Sequence, residues 1–182
     1  LNEFNSNDNV IMVVKSFGSS FDRNEQLILK EKIINIYDKY NNPPKIILIL
    51  DELSDPQMYG LHTIGDCYVS LCKSEGWGLG AFDAAGRNKP VIMTNYGGQL
   101  DFLNKCGDNF KPVSYKLIPV SGMDWIPWYK PDQNWAHPDI QHAGKLMREV
   151  YNNRYSKLGG NNLLRTFSSK IVTKKLIKIL ND

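Results

Sequence analysis

Short uninterrupted apolar runs, each followed by a turn-rich segment and then by helical spacing, constrain this chain more than any other feature. VIMVV (10–14), KIILIL (45–50), CYVSLC (67–72) and PVIMT (90–94) are continuous apolar stretches, not alternating ones. A strand with one wet face alternates in polarity, whereas a run that stays apolar is buried on both faces, as in a parallel sheet covered by helices. The intervening segments carry helical patterns over about 26–40 and 58–65 and from 78 onward, with asparagine and proline at 41–44 breaking the first. Strand and helix alternate, so the fold class is α/β: a Rossmann-like parallel sheet flanked by helices.

The remaining half has a different texture. A helix is expected to start in YGGQLDFLNKCG (96–107), and the Pro- and Trp-rich stretch at 114–139 reads as irregular but aromatic enough to pack. Pro138 and Asp139 look like a helix start leading through Met147 to Tyr151, and Ser168 with Ser169 caps a final helix over 170–180. At 182 residues the chain is read as one domain. It opens on Leu1 with a polar stretch before the first apolar run, which suggests a piece excised from a longer protein.

Charge and cysteine content narrow the class. A formal charge of +3, spread along the sequence, makes no case for nucleic acid. No apolar run approaches the roughly 18 residues of a membrane span, and no leader pattern opens the sequence. Cys67, Cys72 and Cys106 are odd in number and lack C-x-x-C spacing, so they read as buried thiols of a cytoplasmic, reducing compartment.

The chemistry concentrates in SEGWGLGAFDAAGRNKPVIMTNYGG, residues 74–98. Its glycines fall where a strand ends and a helix begins, where free backbone N–H groups and the helix dipole favour a phosphate or carboxylate. Gly76, Gly78 and Gly80 permit close backbone approach. Glu75 precedes the helix and Asp83 lies in its first turns, so both carboxylates can face a ligand at the carboxyl end of the strand. Glycines also simply make turns, and acids near a helix start are favoured by the dipole alone. Gly76, Gly78 and Ala81 satisfy the dinucleotide pattern G-x-G-x-x-A as well, but the following strand ends in Asn95, where an NAD-binding fold carries an acid.

These residues resemble a known family. Ser74-Glu75-Gly76-Trp77-Gly78-Leu79, Asp83-Ala84, Lys89-Pro90-Val91-Ile92 and Gly97-Gly98 look like the donor-binding half of retaining glycosyltransferases of the GT-B fold, group 1 (GT4 type). That family shows an acid, seven residues and a second acid, opened by E-G-F-G-L and followed by G-x-P-V-I and a Gly-Gly pair. The resemblance runs from the first strand to the final helix. It implies that Glu75 is the catalytic-site acid touching the donor sugar. The amides around Gly76, Trp77, Gly78 and Leu79 would meet sugar and phosphates, Asp83 the ribose, and Gly97 and Gly98 would complete the donor site. The implied ligand is a UDP- or GDP-linked sugar, with no metal and no other cofactor, transferred with retention to a hydroxyl of a glycan, lipid or protein acceptor. An upstream acceptor domain is implied too, because such enzymes close two domains around the reaction.

Two positions depart from the family. Its second acid is usually Glu and here is Asp83, one methylene shorter. Its first loop often shows Arg-Lys-Asn, whereas this chain has Asp22-Arg23-Asn24 after Gly18, leaving Arg23 as the candidate for pyrophosphate charge and Lys15 as a second. The rival class is a non-catalytic module that binds nucleotide or glycan without chemistry. His137 and His142 do not share a helix face for a metal, and adjacent Asp51 and Glu52 on a strand end point to opposite faces. Trp125, Trp128 and Trp135 read as a packed aromatic flap or as a stacking platform. Lys170, Lys174, Lys175 and Lys178 with Ile171, Leu176 and Ile179 read as a solvated basic face or as a contact with anionic membrane.

Overall fold

In the computed structural model, residues 1–16, 22–123, 125–153 and 163–181 are described. They form seven strands and seven α-helices, and the chain divides into two compact units, Leu1–Met58 and Tyr59–Asp182.

In the first unit, β1 (Ile11–Lys15) leads to α1 (Arg23–Tyr37), β2 (Lys45–Ile49) and the start of α2 (Asp55–Ile64). Asp22 caps α1 by accepting from the Asn24 amide at 2.8 Å, so the helix starts three residues before the sequence pattern suggested. β1 and β2 pair in parallel, Ile11 opposite Lys45 through Lys15 opposite Ile49. The apolar runs correctly announce these strands but overstate their burial: Ile11, Met12, Val13 and Ile47 are exposed.

The second unit holds a three-stranded parallel sheet in the order β3 (Tyr68–Ser70), β4 (Val91–Thr94), β5 (Phe110–Val113). β4 is central and wholly buried. Successive side chains of a strand point to opposite faces. Val91 and Met93 accordingly join the core made with α3 (Leu79–Gly86), α4 (Leu100–Leu103) and α6 (Leu163–Thr166), while Ile92 packs with Val113 against Ala143 and Val150 of α5 (Ile140–Asn153). Helices thus cover both faces of this sheet, the α/β arrangement its sequence calls for. Among the described residues no helix is long and apolar enough to cross a membrane.

Two sequence expectations are corrected. β5 was not anticipated, because Pro112 interrupts its short run; the strand nonetheless pairs with β4, Phe110 opposite Val91 through Val113 opposite Thr94. The stretch read as irregular contains an antiparallel pair, β6 (Tyr115–Pro119) with β7 (Asn134–Pro138). Asp139 then caps α5, its carboxylate accepting from the His142 amide at 2.9 Å, a bond that holds the carboxyl below its ordinary range. The His142 ring in turn accepts from the Ser114 amide at 3.0 Å, which ties the first turn of α5 to the link between β5 and β6. The final helix, α7 (Ser169–Asn181), begins where the serines indicate, with Ser168 accepting from the Ile171 and Val172 amides.

Candidate functional site

The candidate site of the second unit lies where β3 and β4 end. β3 runs into the Glu75–Gly76 loop and α3; β4 runs into the Gly97–Gly98 turn and α4. The two loops touch directly. The Gly98 amide donates to the Glu75 carbonyl at 2.9 Å, and a Cβ built on Gly98 would lie 1.9 Å from the Gly76 carbonyl oxygen. Gly97 has φ +118°, where an L side chain is strained, and its Cβ would meet the Glu75 carbonyl oxygen at 2.8 Å. Both glycine motifs singled out in the sequence are therefore halves of one contact, and only glycine fits the second half.

That contact sits at the N-terminus of α3. Gly78, the N-cap residue, adopts φ +76°, and no side chain caps the helix. The Leu79, Gly80 and Ala81 amides have no intrahelical acceptor by geometry, so a partial positive charge faces the end of the sheet. Beside it lies the half-buried Glu75 side chain, its Cγ 3.3 Å from where a Gly78 Cβ would stand. Leu79 is exposed. The Trp77 ring instead packs on Phe102 and Phe167 at 5.1 Å and on Phe82 at 5.7 Å, so this residue anchors the loop in the core and offers only its backbone to a ligand.

Beneath the Gly-Gly turn, Gln99 is fully buried. Its Nε2 donates to the carbonyls of Thr94 at 3.1 Å and Tyr96 at 2.6 Å, which shapes the turn. Gln99 Oε1 and Thr94 Oγ1 are buried without a hydrogen-bond partner among the described residues. Buried polar atoms of this kind are uncommon and ask for a further partner.

Asp83 sits one helical turn further on. Its half-exposed carboxylate stands 3.7 Å from Arg87 Nη1, which also donates to the Asp83 backbone carbonyl at 2.6 Å. The Arg87 guanidinium lies 4.2 Å over the Tyr59 ring. His62 is adjacent, its ring 5.9 Å from that of Tyr68, and Tyr68 in turn lies close under Gly80, whose added Cβ would meet its hydroxyl at 2.7 Å. Burial holds the His62 imidazole below its ordinary value; Asp83 opposes this and Arg87 adds to it. Burial raises Tyr68 and Cys72, and the Glu75 carboxylate pushes both further in the same direction. The Tyr68–His62 ring pair beside this site was not found by sequence reasoning. The signal available was Arg87 four residues after Asp83, which marks an i,i+4 pair; nothing local marks His62.

The other candidates fall on other elements. Gly18 lies outside the described residues. Lys15 closes β1 opposite Ile49. Arg23 opens α1 and lines a cleft of ≈ 270 Å³ with Gln26, Lys30 and Asp51 in the first unit. Of the tryptophans, Trp125 and Trp128 are exposed, whereas Trp135 is half-buried with the Lys73 ammonium 4.3 Å over its ring, so the three do not make one platform. The cysteines are half-buried, not buried; burial pushes the Cys67 thiol up to about 12. Among the described residues no group of three or more His, Cys, Asp or Glu is arranged to hold a metal ion.

No family model matches this chain, and no curated protein matches it.

Proposed function

We propose that this chain is the donor-binding part of a retaining glycosyltransferase, taking a nucleoside diphosphate sugar at the carboxyl ends of β3 and β4. The observation that carries the reading is the contact between Gly98 and the Glu75–Gly76 loop at an uncapped helix N-terminus. It leaves a strip of backbone without side chains beside free amides, a surface suited to a diphosphate. In this reading the diphosphate lies against the α3 amides, Glu75 accepts from hydroxyls of the sugar, and Asp83 accepts from the ribose diol. During transfer to an acceptor hydroxyl, charge gathers on the departing diphosphate. Amides already aimed at that place stabilise it without reorganising. The acceptor is bound by a domain outside this sequence, so transfer belongs to the longer protein. Every residue of this site belongs to the second unit.

Calorimetric titration with UDP-, GDP- and dTDP-sugars, with and without EDTA, tests it. At least one donor is expected to bind at or below millimolar concentration, with unchanged affinity in EDTA. Binding of NADH with none of the sugar donors would overturn the reading. Affinity lost in EDTA and restored by Mn²⁺ would overturn its metal-free diphosphate site.

A further inference from the structure

The last helix presents an apolar face that the described residues leave exposed. Between Ser169 and Asn181, α7 carries Lys170, Lys174, Lys175 and Lys178 and no acidic residue. At about 100° per residue, Val172, Leu176, Ile177, Ile179 and Leu180 gather on an arc of roughly 160°. All five are exposed, Ile179 and Leu180 by 71% and 74%. The lysines occupy the other side, with Lys170 and Lys175 flanking the apolar arc. Ile171, in the midst of the lysines, is the half-buried residue of this helix. The helix therefore meets the protein through its first turn and its polar side, and its apolar side faces out.

Left in water, such a helix lacks support. Isolated helices shorter than roughly 12–15 residues are marginal, and this one has 13. Lys170, Lys174 and Lys178 stand at successive i,i+4 spacings, where like charges repel. An occupant that covers the five aliphatic side chains also meets the flanking lysines, so an anionic one gains from both. A second copy of α7 covers the aliphatics but sets lysine against lysine.

We infer that α7 lies on an anionic lipid bilayer. In that arrangement the aliphatic arc is immersed at the boundary between headgroups and acyl chains, and Lys170 and Lys175 extend sideways to lipid phosphates. Lys174 and Lys178 face water and add attraction within a Debye length of the surface.

Co-sedimentation of the whole chain with vesicles of equal parts phosphatidylglycerol and phosphatidylcholine tests this, with vesicles of phosphatidylcholine alone as comparison. The protein is expected to pellet with the first and stay in solution with the second, and to be released by high salt. Lys170→Gln with Lys175→Gln is expected to weaken binding by about fivefold per lysine, roughly 25-fold together. Leu176→Glu with Ile179→Glu is expected to abolish it. These side chains are exposed, so tryptophan fluorescence melts should match the parent and separate a binding defect from misfolding. Three results overturn the inference: no binding to the anionic vesicles, binding that survives Leu176→Glu with Ile179→Glu, or equal binding to both vesicle types. Concentration-dependent self-association abolished by that same pair, without lipid binding, would also overturn it in favour of a second copy.

Discussion

Replacing Gly98 by alanine asks whether the contact between the two glycine loops holds the site together. The new Cβ would stand 1.9 Å from the Gly76 carbonyl oxygen, which is backbone and cannot swing aside. A carbon beside a carbonyl oxygen settles at roughly 3.3–3.6 Å, so the loops must part by about 1.5 Å. Overpacking of this kind costs about 1–3 kcal/mol. The parting also breaks the 2.9 Å bond from the Gly98 amide to Glu75, worth about 1 kcal/mol. The total is about 2–4 kcal/mol, or roughly 4–16 °C in Tm for a chain of this size. Gly76→Ala is the control from the other side of the same contact. Nothing lies within 4 Å of its Cβ, so its stability should change by no more than about 0.5 kcal/mol. Because all four tryptophans fall in the second unit, a fluorescence-detected melt reports on that unit without interference from the first. Gly98→Ala should also lose donor binding. A Gly98→Ala protein that melts with the parent, or a Gly76→Ala protein as damaged as Gly98→Ala, would refute the reasoning.

Two further outcomes are expected. Asp83→Ala should weaken free nucleotide and intact donor alike, whereas Glu75→Ala should weaken the intact donor far more; each loss of a hydrogen bond between charged and neutral partners is worth about ten- to a hundredfold in affinity by calorimetry, and equal losses for both ligands in both variants would contradict the division of roles. His62 has its folded-state value lowered chiefly by burial, so below about pH 6.5 the unfolded chain takes up the proton more readily and stability falls with pH through that window. The Tm of His62→Gln should decline less than the parent's between neutral pH and the lowered folded value, and identical slopes would show that His62 contributes nothing.

The features legible along the chain are local ones. Apolar runs announced β1, β2, β3 and β4, but burial on both faces holds only for β4, which is buried at every residue, and not for β1 and β2. Asp139 and the Ser168–Ser169 pair marked helix starts because capping is local, whereas the Asp22 cap went unread and α1 starts three residues before its apolar pattern. The glycines at 76, 78, 97 and 98 stood out because few other reasons place glycine so often between strand and helix. Tertiary structure alone decided which of these pieces meet. That Gly98 closes on Gly76 depends on two loops from neighbouring strands, and spacing along the chain does not encode the 1.9 Å approach. The same holds for His62, Tyr68, Asp83 and Arg87, which come from two helices and a strand, and for Trp77, whose ring turned into the aromatic core. β5 escaped notice because Pro112 weakens its pattern, and pairing with a buried neighbour supplied what its own run lacked. β6 and β7 escaped because their partners are far apart in sequence, Tyr115 with Pro138 at the far end, and such pairing is set by register across space and not by composition.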